Sequence, residues 1–148
     1  MSKPIVFITG ATGFVGAQIT ASALRAGYNV KLSVRRDAQI ESLRQAFREF
    51  PNNQVEFAVI PDYTKAEAFD SALQGVNHVI HVASPLPGGD GDLLTPAVKG
   101  TTSVLQSASR VSSIQKVVIT ASVASLVPLD KYANGTIVTG KHQQAAFP

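Results

Sequence analysis

The chain contains no cysteine, which excludes disulfides, thiolate metal ligands and a cysteine nucleophile. It also has no run of five or more like charges. Only Arg35 and Arg36 stand side by side among scattered basic residues. Nucleic acid is therefore not an expected partner, although the net charge is +3 and the pI is near 9.4. No apolar stretch approaches the ~18 residues of a membrane span, and Met1-Ser2-Lys3-Pro4 leads into a strand too short for a signal-peptide core. These absences predict a soluble, cytoplasmic protein with no membrane partner and no metal site. What is present is globular in composition, with 45% hydrophobic and 16% charged residues. A chain of 148 residues has room for one core, burying roughly 68–70% of its unfolded surface, and none for a second domain of ordinary size.

The chain is organised around Ile5-Val6-Phe7-Ile8-Thr9-Gly10-Ala11-Thr12-Gly13-Phe14-Val15-Gly16. A β-branched apolar run stops at a glycine, glycines recur at every third residue, and helical spacing begins after Gly13. This is a strand feeding a helix through a glycine turn. Where Cβ atoms are missing, backbone N–H groups and the positive end of a helix dipole can approach an anion closely. The spacing G-x-x-G-x-x-G differs from the commoner G-x-G-x-x-G, so the dinucleotide rule applies through its mechanism and not its letters. Turn glycines that serve only strand–helix packing are the alternative.

In chain order, residues 4–9 read as strand 1 and residues 14–26 as a helix with Val15, Ile19, Ala23 and Ala26 on one face and Gly27 as its stop. Strand 2 covers residues 30–34. A helix over residues 38–50 carries the stripe Ile40, Leu43, Phe47 and Phe50. Residues 55–60 form strand 3, residues 65–74 a short helix, and residues 78–83 strand 4, which runs into an irregular Pro/Gly-rich loop over residues 84–92. A long helix over residues 93–112 has Ala97, Leu105 and Ala108 inward, Pro96 in its first turn and a weak point at Gly100. Strand 5 covers residues 116–120. Alternating strands and helices with right-handed crossovers predict an α/β, doubly wound parallel sheet of Rossmann type, in strand order 3-2-1-4-5, with the glycine turn at the reversal. This domain spans residues 1–127. Residues 128–148 read as an irregular tail with at best a short strand at 136–140.

Six segments together resemble the cofactor-binding part of an extended short-chain dehydrogenase/reductase, most of all the dihydroflavonol-reductase-like and fungal NADPH-dependent aldehyde/ketone reductase branch. They are Thr9-Gly10-Ala11-Thr12-Gly13-Phe14-Val15-Gly16, Ser33-Val34-Arg35-Arg36, Ile60-Pro61-Asp62, His81-Val82-Ala83-Ser84-Pro85, Pro96-Ala97-Val98-Lys99-Gly100-Thr101 and Val118-Ile119-Thr120-Ala121-Ser122. They occur in the family's order over residues 4–127. The resemblance implies that Gly10, Thr12, Gly13, Phe14, Val15 and Gly16 hold the pyrophosphate. Arg35 and Arg36, nineteen and twenty residues past Gly16, stand where an NAD-type site places a carboxylate. Arginine there suits a 2′-phosphate and favours NADP(H), while Asp37 keeps NAD(H) open. The pair could equally be a solvated basic start to a helix.

The resemblance further implies that Asp62 accepts a hydrogen bond from the adenine amino group, with Tyr63 in place of a more usual small or aliphatic residue. As an alternative, Asp62 caps the helix after it. Val82, Ala83, Ser84 and Thr120 would line the cofactor at the ends of strands 4 and 5. His81 is expected to pack or hydrogen-bond within the sheet, and Lys99 stands where the family often has asparagine. Ser122 matches the catalytic serine that hydrogen-bonds the substrate carbonyl. The family's proton donor, the Tyr of Tyr-x-x-x-Lys, has no counterpart: four residues beyond Tyr28, Tyr63 and Tyr132 stand Leu32, Glu67 and Thr136. The chain stops at Pro148, before that motif, the last sheet strands and the substrate lobe would come. Two function classes follow: an NADPH-dependent carbonyl-reductase lineage, truncated or excised here, or a short non-catalytic nucleotide-binding or redox-sensing module. The face left uncovered toward the C-terminus is expected to favour self-association into a homo-oligomer.

Overall fold

The computed structural model describes residues 3–85 and 92–122. The tail from residue 128, its expected strand at 136–140 and most of the Pro/Gly-rich loop lie outside the described residues. Five strands, β1 (Ile5–Thr9), β2 (Asn29–Val34), β3 (Val55–Val59), β4 (His78–His81) and β5 (Lys116–Ile119), form one parallel sheet in the order β3-β2-β1-β4-β5. That is the doubly wound topology expected from the alternation of periods. Among the described residues the α-helices are α1 (Phe14–Arg25), α2 (Ala38–Ala46) and α3 (Leu94–Ser109), and none of them is long and apolar enough to cross a membrane.

Strand β1 lies at the centre, so both of its faces must be apolar: Val6, Phe7, Ile8 and Thr9 are all buried. Right-handed crossovers outward from β1 to β3 put α1 and α2 on one face, where Val6, Ile8, Val30, Leu32 and Val34 meet Leu24, Leu43 and Phe47. The return through residues 61–77 and the step from β4 to β5 cover the other face. There Phe7 and Val79 meet Phe69, Leu73, Val76, Val104 and Ala108. Phe7 and Phe69 pack edge to face with centroids 6.1 Å apart. Each fully buried side chain of this kind contributes about 1.5–3 kcal/mol.

Several expectations need correction. Residues 65–74 form successive turns and not a helix. Glu67 takes φ +63, and the backbone bonds alternate between Ala68 N–H to Lys65 O, Asp70 N–H to Glu67 O and Leu73 N–H to Phe69 O. A left-handed residue interrupts the helical repeat there, and the burial of Phe69, Ala72, Leu73 and Val76 sets the path. On α1 the buried row is Gly16, Thr20 and Leu24, whereas Val15 is 53% exposed and Ala26 is exposed. Small residues let this row approach the sheet, and the Thr20 hydroxyl is satisfied by donating to Gly16 O at 2.8 Å.

On α3, Leu105 faces outward at 40% exposure, and the inward row is Gly100, Ser103, Val104, Ser107 and Ala108. Close approach again selects small residues, and Ser103 donates to Lys65 O at 2.7 Å. Gly100 is therefore a packing position in an unbroken helix and not a weak point. Helix α2 ends at Ala46, where Phe47 leaves helical geometry at φ −107, yet Phe47 and Phe50 still pack on the core. Asp92, expected in the irregular loop, accepts from the Leu94 and Thr95 amides at 2.9 and 3.1 Å and so starts α3.

The glycine turn is held by backbone contact. A Cβ on Gly16 would lie 2.0 Å from Gly10 O, whereas one on Gly13 would lie 3.5 Å from the same atom, an ordinary contact. Gly16→Ala should therefore cost about 2–3 kcal/mol of unfolding free energy, and Gly13→Ala, at an extended φ of −90 and ψ of 165, less than about 0.5 kcal/mol. Urea unfolding of the two variants checks this, and equal losses would refute it.

Candidate cofactor-binding site

Thr9 ends β1 opposite His81, its register partner on β4. The next residue, Gly10, turns the chain at φ +75, and a Cβ there would lie 2.8 Å from Ala83 N. Only glycine can bring the end of β1 this close to the end of β4. The turn then opens into α1, where Gly13 N–H bonds Gly10 O at 3.0 Å and Ala17 N–H bonds Gly13 O at 2.9 Å. No side chain caps α1 and no acid lies in its first turn. Its positive end is thus left for an external anion. Thr12, Phe14 and Val15 stand exposed around it, Phe14 at 92%.

Beside the turn lies a cleft of about 270 Å³. Arg35 from the end of β2, Asp62 and Tyr63 after β3, His81, Ala83 and Ser84 at the end of β4, and Pro96, Gly100 and Thr101 of α3 all line it. The structure thus brings together Arg35, Asp62, Tyr63, Ala83 and Ser84, which the sequence singles out. Arg36 does not line the cleft and is exposed. Gln39 fixes the backbone of this basic pair by accepting from the Arg35 and Arg36 amides at 2.9 and 3.2 Å. Val82 is half-buried against the core on the α1 side. Thr120 bonds His81 O through its amide at 3.0 Å and its hydroxyl at 3.3 Å, and Ser122 is exposed two residues further along the same carboxyl edge.

Asp62 accepts from the Thr64 hydroxyl at 2.7 Å and from the Thr64 amide at 2.9 Å. The hydroxyl bond, then the amide bond, hold its carboxyl below the usual carboxylate range. It therefore caps a turn, although no helix follows. His81, Thr9 and Thr101 are linked in a way that sequence reasoning missed. Thr9 Oγ1 accepts from the Val82 and Ala83 amides at 3.0 and 3.1 Å and lies 2.9 Å from His81 Nδ1. Two donors occupy its lone pairs, so its proton goes to Nδ1 and the His81 proton sits on Nε2, 3.4 Å from Thr101 Oγ1. His81 is neutral, and burial pushes its pKa below the ordinary value of 6.5. The signal available was a threonine and a histidine at matched positions of otherwise apolar strands.

A glycine turn at the reversal of a parallel sheet, an open helix N-terminus and a cleft at the carboxyl ends of the strands define a dinucleotide-binding domain of the doubly wound class. The residues fit such a ligand: a helix N-terminus with no side-chain cap and no acid in its first turn, and an arginine lining the cleft. The chain belongs to the 3-beta hydroxysteroid dehydrogenase/isomerase family, whose model matches residues 7–146. It is 44% identical over 141 residues to the ketoreductase sphI of Aspergillus fumigatus, covering 93% of this chain and 41% of that protein. It is 35% identical to the NADPH-dependent methylglyoxal reductase GRE2 of Saccharomyces cerevisiae, covering 85% of this chain and 39% of that one. The crystal structure of yeast Gre2 complexed with NADPH superposes with a TM-score of 0.78 at 33% identity, over 85% of this chain and 39% of that chain. The chain thus spans about two fifths of the length of these relatives and is of a reductase lineage.

Burial of His81 sets a pH dependence. The unfolded state binds a proton to His81 near pH 6.5, and the folded state does so only at lower pH, so stability is full above 6.5 and falls as pH drops toward the folded value. Urea midpoints should be lower at pH 5.5 than at pH 7.5. Thr9→Val, which strands two amides and the imidazole, should cost about 2–3 kcal/mol at pH 7.5.

Proposed function

We propose that this chain binds NADP(H) in preference to NAD(H) and forms the cofactor-binding part of a carbonyl-reductase system. The single observation that carries this is Arg35, which reaches the cleft from the end of β2 beside Asp62 and Tyr63. An NAD-type site needs a carboxylate there. Gly10, Thr12, Gly13, Phe14, Val15 and Gly16 hold the pyrophosphate on the first amides of α1. Arg35 meets the 2′-phosphate, with Arg36 adding long-range charge from outside the cleft. Asp62 lies on the adenine side, Tyr63 stands beside it under Arg35, and Val82, Ala83, Ser84 and Thr120 line the path to the nicotinamide. The bound cofactor supplies hydride for a carbonyl carbon, and Ser122 donates a hydrogen bond to the carbonyl oxygen. The GRE2 relative is named as a methylglyoxal reductase that uses NADPH, which supports a small carbonyl substrate.

A second reading rests on the missing Tyr-x-x-x-Lys. Of the described tyrosines, Tyr28 packs on His78 and Tyr63 bonds Ser33. Residues 1–148 alone would then bind the cofactor without turning over. Self-association would use the side of the sheet at β5, where Val118 and Ile119 are 45% and 40% exposed.

Isothermal titration with NADPH and NADH, followed by a screen of aldehydes and ketones, decides between these readings. NADPH should bind more tightly, and Arg35→Ala should weaken NADPH about tenfold or more through lost charge-assisted bonds while leaving NADH nearly unchanged. Absence of preference would refute the cofactor assignment. No steady carbonyl reduction is expected from this chain alone, and robust turnover would overturn the binding-module reading. A sedimentation run showing only monomer at high concentration would count against self-association.

A further inference from the structure

Tyr63 lines the cleft beside Arg35, and its ring is held on several sides. Its Oη lies 2.5 Å from the hydroxyl of Ser33, itself 2% exposed near the end of β2. Its ring leans on Phe69 at 5.0 Å between centroids, and a Cβ on Gly100 of α3 would lie 3.7 Å from Tyr63 Cβ. Over this ring lies the Arg35 guanidinium, 5.9 Å from the centroid. The Arg35 amide is tied separately to Gln39. Arg35 is therefore constrained at its backbone by one side chain and at its tip by another.

We propose that Tyr63 is a specificity-determining positioning residue, a platform that orders the Arg35 guanidinium at the cleft mouth before a phosphate monoester on the ribose arrives. The inference rests on the NADP(H) reading. A free arginine loses much rotamer freedom when it grips a phosphate, and a guanidinium already resting on an aromatic face has given up part of that freedom in the unliganded protein. The cation–π contact holds the planar group without using its N–H donors, which stay available to phosphate oxygens. The Ser33 hydroxyl and Phe69 keep the ring from turning away. An aliphatic side chain at residue 63 would fill the space and leave Arg35 loose. Tyr63 thus acts through Arg35 on the 2′-phosphate alone, and a ligand without that group gains nothing from it.

The test is a titration of the full chain with NADPH and with NADH for Tyr63→Leu, Tyr63→Phe, Arg35→Lys and the Tyr63→Leu/Arg35→Lys pair, each checked for folding by circular dichroism. Tyr63→Leu should weaken NADPH about five- to tenfold and leave NADH within about twofold. Tyr63→Phe, which keeps the platform, should restore most of the NADPH affinity. Arg35→Lys keeps the charge but cannot lie flat on the ring, so it should lose NADPH affinity to a similar extent, and the double variant should lose little more. Equal losses for both cofactors would show a merely structural tyrosine and overturn the inference, as would strictly additive losses. If Tyr63→Leu does not fold, Arg35→Lys decides, and full retention of NADPH preference there overturns the platform. A native protein that does not prefer NADPH defeats the NADP(H) reading itself, whereas one whose preference survives Tyr63→Leu defeats this inference only.

Discussion

The structure depends on the approach of two strand ends. Gly10 comes so near Ala83 that a Cβ would sit 2.8 Å from its amide nitrogen, and the Gly10 carbonyl comes so near Gly16 that a Cβ there would sit 2.0 Å away. Those distances lock β1, the turn, α1 and the end of β4 into one unit. The Thr9 hydroxyl completes it by satisfying the Val82 and Ala83 amides where β4 leaves the sheet. A polar atom is thus spent inside an apolar sheet on two backbone donors that would otherwise be buried without partners. His81 orients that hydroxyl, and Thr101 carries the link to α3.

This local rigidity places the charges of the site. The first amides of α1 face outward because the turn has no side chain to cap them, and Arg35 stands across the cleft from the end of β4 because β1 separates β2 from β4. Asp62, held ionised by the Thr64 hydroxyl and amide, lies beside Arg35. The cleft therefore offers a cation and an anion, while the turn residues 10–16 and the open amides of α1 lie outside its lining, so a ligand carrying phosphates and a hydrogen-bonding base would reach from one to the other. The first residues of α1, Phe14 and Val15, are apolar and exposed beside those amides.

Much of the fold was legible because its signals are local and repeated. Glycine spacing after an apolar run marks β1 and α1, and the alternation of short β-branched runs with helical stripes leads to β3-β2-β1-β4-β5 through the handedness of crossovers. The departures have two causes. In α1 and α3 the buried rows, Leu24 and Val104 apart, are built from glycine, threonine, serine and alanine, so the inward side is mostly the small side and not the most hydrophobic one. Hydrophobicity predicts Val15 and Leu105 inward, yet both face outward. Residues 65–74 carry a helical stripe, yet Glu67 adopts a left-handed φ while Phe69 and Leu73 are buried. No local pattern reports that choice.

By itself, the sequence determined the parallel α/β class, the glycine turn, the basic pair after β2, and that residues 1–148 hold neither a cysteine nor a Tyr-x-x-x-Lys pair. These depend on residue identity and near-neighbour spacing, which the chain carries wherever it folds. Only the tertiary structure decided that Arg35 and not Arg36 reaches the cleft, that Tyr63 lies beneath the Arg35 guanidinium, and that His81 is a neutral Nε2–H tautomer set by Thr9. Each of these joins residues at or just beyond the ends of different strands, with Thr9 and His81 separated by 72 positions. Contacts at that distance are set by sheet register and crossover handedness, and no window along the chain contains both partners.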